Sequence, residues 1–201
     1  MKISPTLTEV KEIAKTGKYD ILPVSCEILS DFITPIEAMR ILQNVSTHCY
    51  LLESAQANEA WGRYTFLGYD PKLEINCIDG HMKLGKLSVE TDNPSEYIRQ
   101  ILSEYKSPKF DYLPSFTGGL VGYFSYDYLG YKEKSIRGKA KDTEDFKDVD
   151  LMLFDKVIAF DNLCQKIILI ANMPLDAPET GYNKAIVELK QLRELLMHGE
   201  K

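Results

Sequence analysis

The chain has no Cys-x-x-Cys pair, no cluster of histidines and no basic stripe, and each absence removes a class of function. Cys26, Cys49, Cys77 and Cys164 are scattered, as are His48, His81 and His198, and this spacing argues against a structural zinc site. Scattered thiols in apolar-looking strands or turns read as reduced and buried, which points to a cytoplasmic compartment. Twenty-four basic residues against 30 acidic ones give a net charge of -6, which argues against nucleic acid as a partner. The longer apolar runs, such as Ile167 to Ala171, are far too short to span a bilayer. The opening residues MKISPTLTEVKEIAKTG lack the apolar segment of a secretory signal. No glycine-rich phosphate loop sits between a strand and a helix. No histidine is paired with a plausible acid and no nucleophile sits on an elbow, so the residues alone offer no catalytic residue and no metal ligand set. Asp31, Asp70 and Asp127 read as loop or turn residues.

What the chain does have is an ordinary globular composition over 201 residues, 44% apolar and 27% charged, enough to bury a sizeable core. Thr6-x-x-Glu9 and Thr34-Pro35-Ile36-Glu37 carry capping-box spacing and open two helices, the second with Ala38, Ile41, Leu42 and Val45 on one stripe. Asn93-Pro94-Ser95-Glu96 repeats the pattern before Tyr97, Ile98, Ile101, Leu102 and Tyr105. From Thr180 onward, Tyr182, Ile186, Leu189, Leu192 and Leu196 mark a last amphipathic helix. Residues 24–28 alternate as a half-buried strand does, and residues 48–54 form another. LEINCIDGHMKL reads as a tight hairpin about Asp79-Gly80. LMLFDKVIAFD and KIILIAN form a second hairpin about residues 161–165, and residues 131–150 read as an exposed polar segment. The sum is an α+β fold, a largely antiparallel sheet with hairpins and inserted amphipathic helices, taken as a single domain over residues 1–201.

Two stretches invite a chemical reading. The first is YLLESAQANEAWGRYTFLGYDP, residues 50–71, where Leu52, Glu53 and Ser54 end a strand and Trp61, Arg63 and Tyr64 return opposite them. A carboxylate for an ammonium, an arginine for a carboxylate, and aromatic walls together suit a zwitterionic aromatic amino acid. The plainer reading is a cross-strand salt bridge between Glu53 and Arg63, with Ser54 a turn residue. The second is Phe116 to Phe124, whose three glycines in five residues need a reason inside a strand: close backbone approach, or a bulge.

VSCEILSDFITPIEA, YLLES, WGRYTFLGYDP, PSFTGGLVGYFSYD and DLMLFDKVIAFDN, in that order, resemble the N-terminal region of anthranilate synthase component I. That family converts chorismate and ammonia, supplied from glutamine by a partner amidotransferase subunit (component II), to anthranilate and pyruvate in tryptophan synthesis. The resemblance implies that chorismate, Mg²⁺ and the catalytic residues belong to a C-terminal chorismate-binding domain lacking here. It implies no cofactor within this chain and no activity of this chain alone. It also implies an L-tryptophan feedback site at Leu52, Glu53 and Ser54, with Arg63 on the returning strand. Aminodeoxychorismate synthase component I, of folate synthesis, shares much of the pattern; Glu53 and the TPIEA segment lean away from it. A stand-alone amino-acid-sensing module is the further alternative.

Overall fold

Two capping boxes form where the sequence spaces them. In the computed structural model, which describes residues 1–53, 62–133, 135 and 146–200, Thr6 caps α1 (Leu7–Lys15) and Thr34 caps α2 (Pro35–Val45). At Thr34 the hydroxyl accepts from the Glu37 N–H at 3.2 Å, and the Glu37 carboxylate accepts from the Thr34 N–H at 3.0 Å. Each such cap is worth about 1 kcal/mol to its helix.

The described residues divide into two compact units, 1–70 with 105–118 and 155–201, and 71–104 with 119–154. The first unit is built on a fully antiparallel six-stranded sheet. Its strands are β1 (Ile3–Ser4), β2 (Ile21–Leu29), β3 (Cys49–Leu52), β4 (Tyr64–Tyr69), β10 (Lys156–Asp161) and β11 (Lys166–Pro174), in the spatial order β1-β2-β11-β10-β4-β3. β2 and β11 pair along their whole length, from Ile21↔Pro174 to Leu29↔Lys166. One face of β11, with Ile167, Leu169, Ala171 and Met173, lies in a core with Tyr182, Ala185, Leu189, Leu192 and Leu196 of the last helix, α4 (Pro178–His198). The other face carries Ile168 and Ile170, with Val157 and Ala159 of β10, beneath Leu113 and Phe116. Burial on both faces explains why β10 and β11 read as unbroken apolar runs instead of alternating. It also corrects the half-buried reading of residues 24–28: Val24, Ser25 and Cys26 are all buried.

The second unit holds β5 (Leu73–Ile78), β6 (His81–Leu84), β7 (Leu87–Glu90), β8 (Gly119–Phe124) and β9 (Val149–Phe154), with α3 (Pro94–Ser103). The strands form a five-stranded antiparallel sheet in the order β7-β6-β5-β9-β8. The Asp79-Gly80 hairpin forms as expected, and Tyr131 locks it: the Gly80 N–H donates to the Tyr131 hydroxyl at 2.7 Å, which donates to Asp148 at 2.6 Å. The apolar run LMLFDKVIAFD is two strands in different sheets, since Asp155 separates β9 from β10. Leu102 is exposed, not inward, and Asn93 makes no side-chain cap; its Oδ1 accepts instead from the Ser95 hydroxyl at 2.8 Å.

Gly122 of β8 has a structural cause. Gly122 has φ 150, and a Cβ there would collide with the Asp150 carbonyl on the neighbouring strand. Because the obstacle is backbone, it cannot swing away. Gly122→Ala is therefore expected to destabilise the protein by about 1–3 kcal/mol in urea unfolding; an unchanged midpoint would contradict this packing.

Candidate functional site

β3 and β4 form the hairpin whose mouth the sequence singles out, in the register Cys49↔Tyr69 to Leu52↔Phe66. Tyr50 faces Gly68, and a Cβ on Gly68 would run into the Tyr50 ring, 2.7 Å from its Cζ. The glycine lets the ring lie across β4, edge-on to Phe116 with centroids 6.4 Å apart. Leu52 is 46% exposed, and Glu53 is exposed just beyond the last paired residues. Ser54 and Trp61 lie outside the described residues.

On the returning limb, the expected Glu53–Arg63 bridge gives way to another partner. Arg63 donates from Nε to Asp161 Oδ1 at 3.1 Å and from Nη2 to Oδ2 at 2.7 Å, a bidentate fork. Asp161 ends β10 and its side chain is only 4% exposed, against 37% for Arg63. Its Oδ1 also accepts from the backbone N–H of Leu163 at 3.2 Å and of Cys164 at 3.1 Å. The next residue completes the clamp: the Asn162 N–H donates to the Arg63 carbonyl at 2.9 Å, and its amide to the Thr65 hydroxyl at 3.2 Å. The turn between β10 and β11 thus holds the backbone and the side chain of Arg63. The Arg63 guanidinium keeps the Asp161 carboxyl below the usual carboxylate range, against the opposing effect of burial. Cys164, expected to be buried, is exposed on this turn; Cys26 and Cys77 are buried.

An aromatic wall stands beside the pair. The Arg63 guanidinium carbon lies 4.9 Å from the Tyr64 ring centre, Tyr64 is 5.8 Å from Phe66, and Phe66 meets Phe116 edge-on at 5.6 Å. A guanidinium fork and a ring wall, with Glu53 following β3 at the same end of the hairpin, are the groups an aromatic zwitterion needs. Among the described residues no three His, Cys, Asp or Glu side chains converge to hold a metal ion. Among them, too, no helix is long and apolar enough to cross a membrane. Elsewhere on the same unit, a cavity of about 430 Å³ is lined by Lys2, Glu27, Tyr112 and Leu113, but Glu27 is already paired with Lys166 at 2.8 Å. Asp161 and Asn162 were not legible as site residues. Asp161-Asn162 reads as a turn, and nothing in the spacing ties it to Arg63, 98 positions earlier.

The Asp161 carboxylate has a depressed folded pKa, so its stabilisation is complete above the unfolded value, near about 3.9, and is lost as pH falls through the folded value. Asp161→Asn is expected to lower stability by about 1–3 kcal/mol near neutrality. It should also flatten the acid limb of a stability-against-pH curve. Acid limbs that superimpose would show that the carboxylate is not held in this way.

No family model matches the chain. Curated relatives do. Anthranilate synthase component 1 of Acetivibrio thermocellus is 34% identical over 198 residues, covering 96% of this chain and 39% of that protein. The protein of the same name from Pseudomonas aeruginosa is 34% identical over 196 residues, covering 94% and 39%. The probable anthranilate synthase component 1 of Schizosaccharomyces pombe is 30% identical over 203 residues, covering 100% and 39%. The chain thus spans about two fifths of the length of these relatives. A crystal structure of anthranilate synthase component I from Streptococcus pneumoniae superimposes with a TM-score of 0.53 at 26% identity, over 83% of this chain and 36% of that one.

Proposed function

The chain belongs, by sequence and fold, with the N-terminal region of anthranilate synthase component 1, and on that premise we propose that it carries the tryptophan-sensing site of such an enzyme. The whole protein converts chorismate, with ammonia released from glutamine by a component II subunit, to anthranilate and pyruvate. Chorismate and Mg²⁺ are held by polypeptide that the relatives possess and this match does not reach. The present residues supply regulation.

What supports this reading is the company Arg63 keeps. It shares its end of the hairpin with the exposed Glu53, stacks on Tyr64 beside Phe66 and Phe116, and is braced from behind by a buried carboxylate. L-Tryptophan matches each component: its carboxylate suits Arg63, its ammonium Glu53, and its indole the rings and Leu52. Ser54, the next residue in the sequence after Glu53, is assigned to the same site on the family resemblance alone. None of these groups is a nucleophile or general acid with an evident substrate, so the site binds without reacting.

Feedback follows from differential affinity. If tryptophan binds one conformation of the enzyme better than the chorismate-competent one, it shifts the population away from catalysis, and chorismate must weaken tryptophan binding by the same factor. In the enzyme that joins this region to its catalytic part, Ser54→Phe replaces a small hydroxyl side chain with a bulky ring. Calorimetry should then detect no tryptophan binding while anthranilate formation continues; inhibition equal to that of the unsubstituted enzyme would refute the assignment.

A further inference from the structure

We propose that Asp161 is the specificity-determining residue of this site, balancing and orienting Arg63 so that the pocket takes a zwitterionic aromatic amino acid and rejects the corresponding plain carboxylate. The inference rests on the tryptophan-site reading above and adds to it a residue, Asp161, and a selection rule. Two of the five N–H donors of the guanidinium are committed to Asp161, at 3.1 and 2.7 Å. Nη2 also donates to Cys164 Sγ at 3.7 Å, so the planar fork is fixed and a ligand carboxylate approaches the Nη1 side.

The charge arithmetic sets the rule. Arg63 and Asp161 together are close to neutral, so an incoming carboxylate meets a cation already balanced at 2.7 Å. Glu53 follows the last paired residue of β3 and Arg63 precedes the first residue of β4, so both charges flank the open end of the hairpin, and a ligand bearing only a carboxylate leaves the group with a surplus of negative charge. A ligand bearing an ammonium as well restores alternation: Asp161, Arg63, ligand carboxylate, ligand ammonium, Glu53. Like charges brought together without compensation cost affinity more than matched ones gain it. Asp161 can impose this because it is 4% exposed and fixed by the Leu163 and Cys164 N–H groups, so water does not screen it and it cannot swing aside.

The test is a pair of NMR titrations of the 201-residue chain, following the Arg63 Nε–H and the amides of residues 62–66, with L-tryptophan and with indole-3-propionate, which lacks only the ammonium. The unsubstituted chain should favour tryptophan by about tenfold or more. In Asp161→Asn the guanidinium is no longer balanced, and the preference should shrink to about twofold or less as the plain anion gains. A purely structural role would weaken both ligands alike and leave the ratio unchanged, and that result would overturn the proposal. If the unsubstituted chain responds to neither ligand, the tryptophan-site reading itself falls, and this inference with it. Should Asp161→Asn not fold, Arg63→Gln is the second variant. It leaves Asp161 and Glu53 facing the ligand together, so preference should pass from tryptophan to tryptamine, which has the ammonium alone. Retained preference for tryptophan over tryptamine would equally overturn the proposal.

Discussion

A single carboxylate, Asp161, holds the candidate site together. It closes β10, accepts the Arg63 fork, and takes two backbone N–H groups from the turn that leads into β11. Asn162 then ties the same turn to the Arg63 backbone and to Thr65. A long, flexible cation at a hairpin mouth is normally costly to order, because its rotamer freedom opposes every contact it makes. Here that cost is met by the fold before any ligand arrives, which is the usual route by which a rigid scaffold gives affinity to a small number of contacts.

The scaffold can do this because β10 and β11 lie in the middle of the first sheet and are buried on both faces. On one side α4 and α2 seal the core around Leu169 and Leu42; on the other, Phe116 and Leu113 cover Ile168 and Ala159. The clamp is therefore anchored in the part of this unit with the most buried apolar contacts, where local opening is least favourable. The second unit has its own smaller core around Ile75, Met82 and Leu151, and its own polar lock through Tyr131.

Much of this architecture was readable from local rules. The Thr6 and Thr34 capping boxes, the Asp79-Gly80 turn and the inner face of α4 all depend on residues within four positions of one another, where sequence spacing maps directly to geometry. What escaped was non-local. The run through Asp155 gives no sign that its two halves enter different sheets, and the layer that covers one face of β10 and β11 comes from Leu113 and Phe116, distant in sequence. Leu52, Glu53 and Arg63 could be read together because they flank one hairpin, a local feature. The partner of Arg63 was not, because opposite charges abound on a chain with 30 acidic residues and only tertiary pairing selects among them.

Across the two units the chain thus offers separate aromatic surfaces with different surroundings. Tyr64, Phe66 and Phe116 stand beside a braced guanidinium, whereas Tyr123, Phe124 and Tyr126 of the second unit are exposed. Intermolecular nuclear Overhauser effects between the indole protons of added L-tryptophan and the protein rings distinguish them directly. The account predicts cross-peaks to Tyr64 and Phe66; cross-peaks confined to Tyr123, Phe124 and Tyr126 would contradict it.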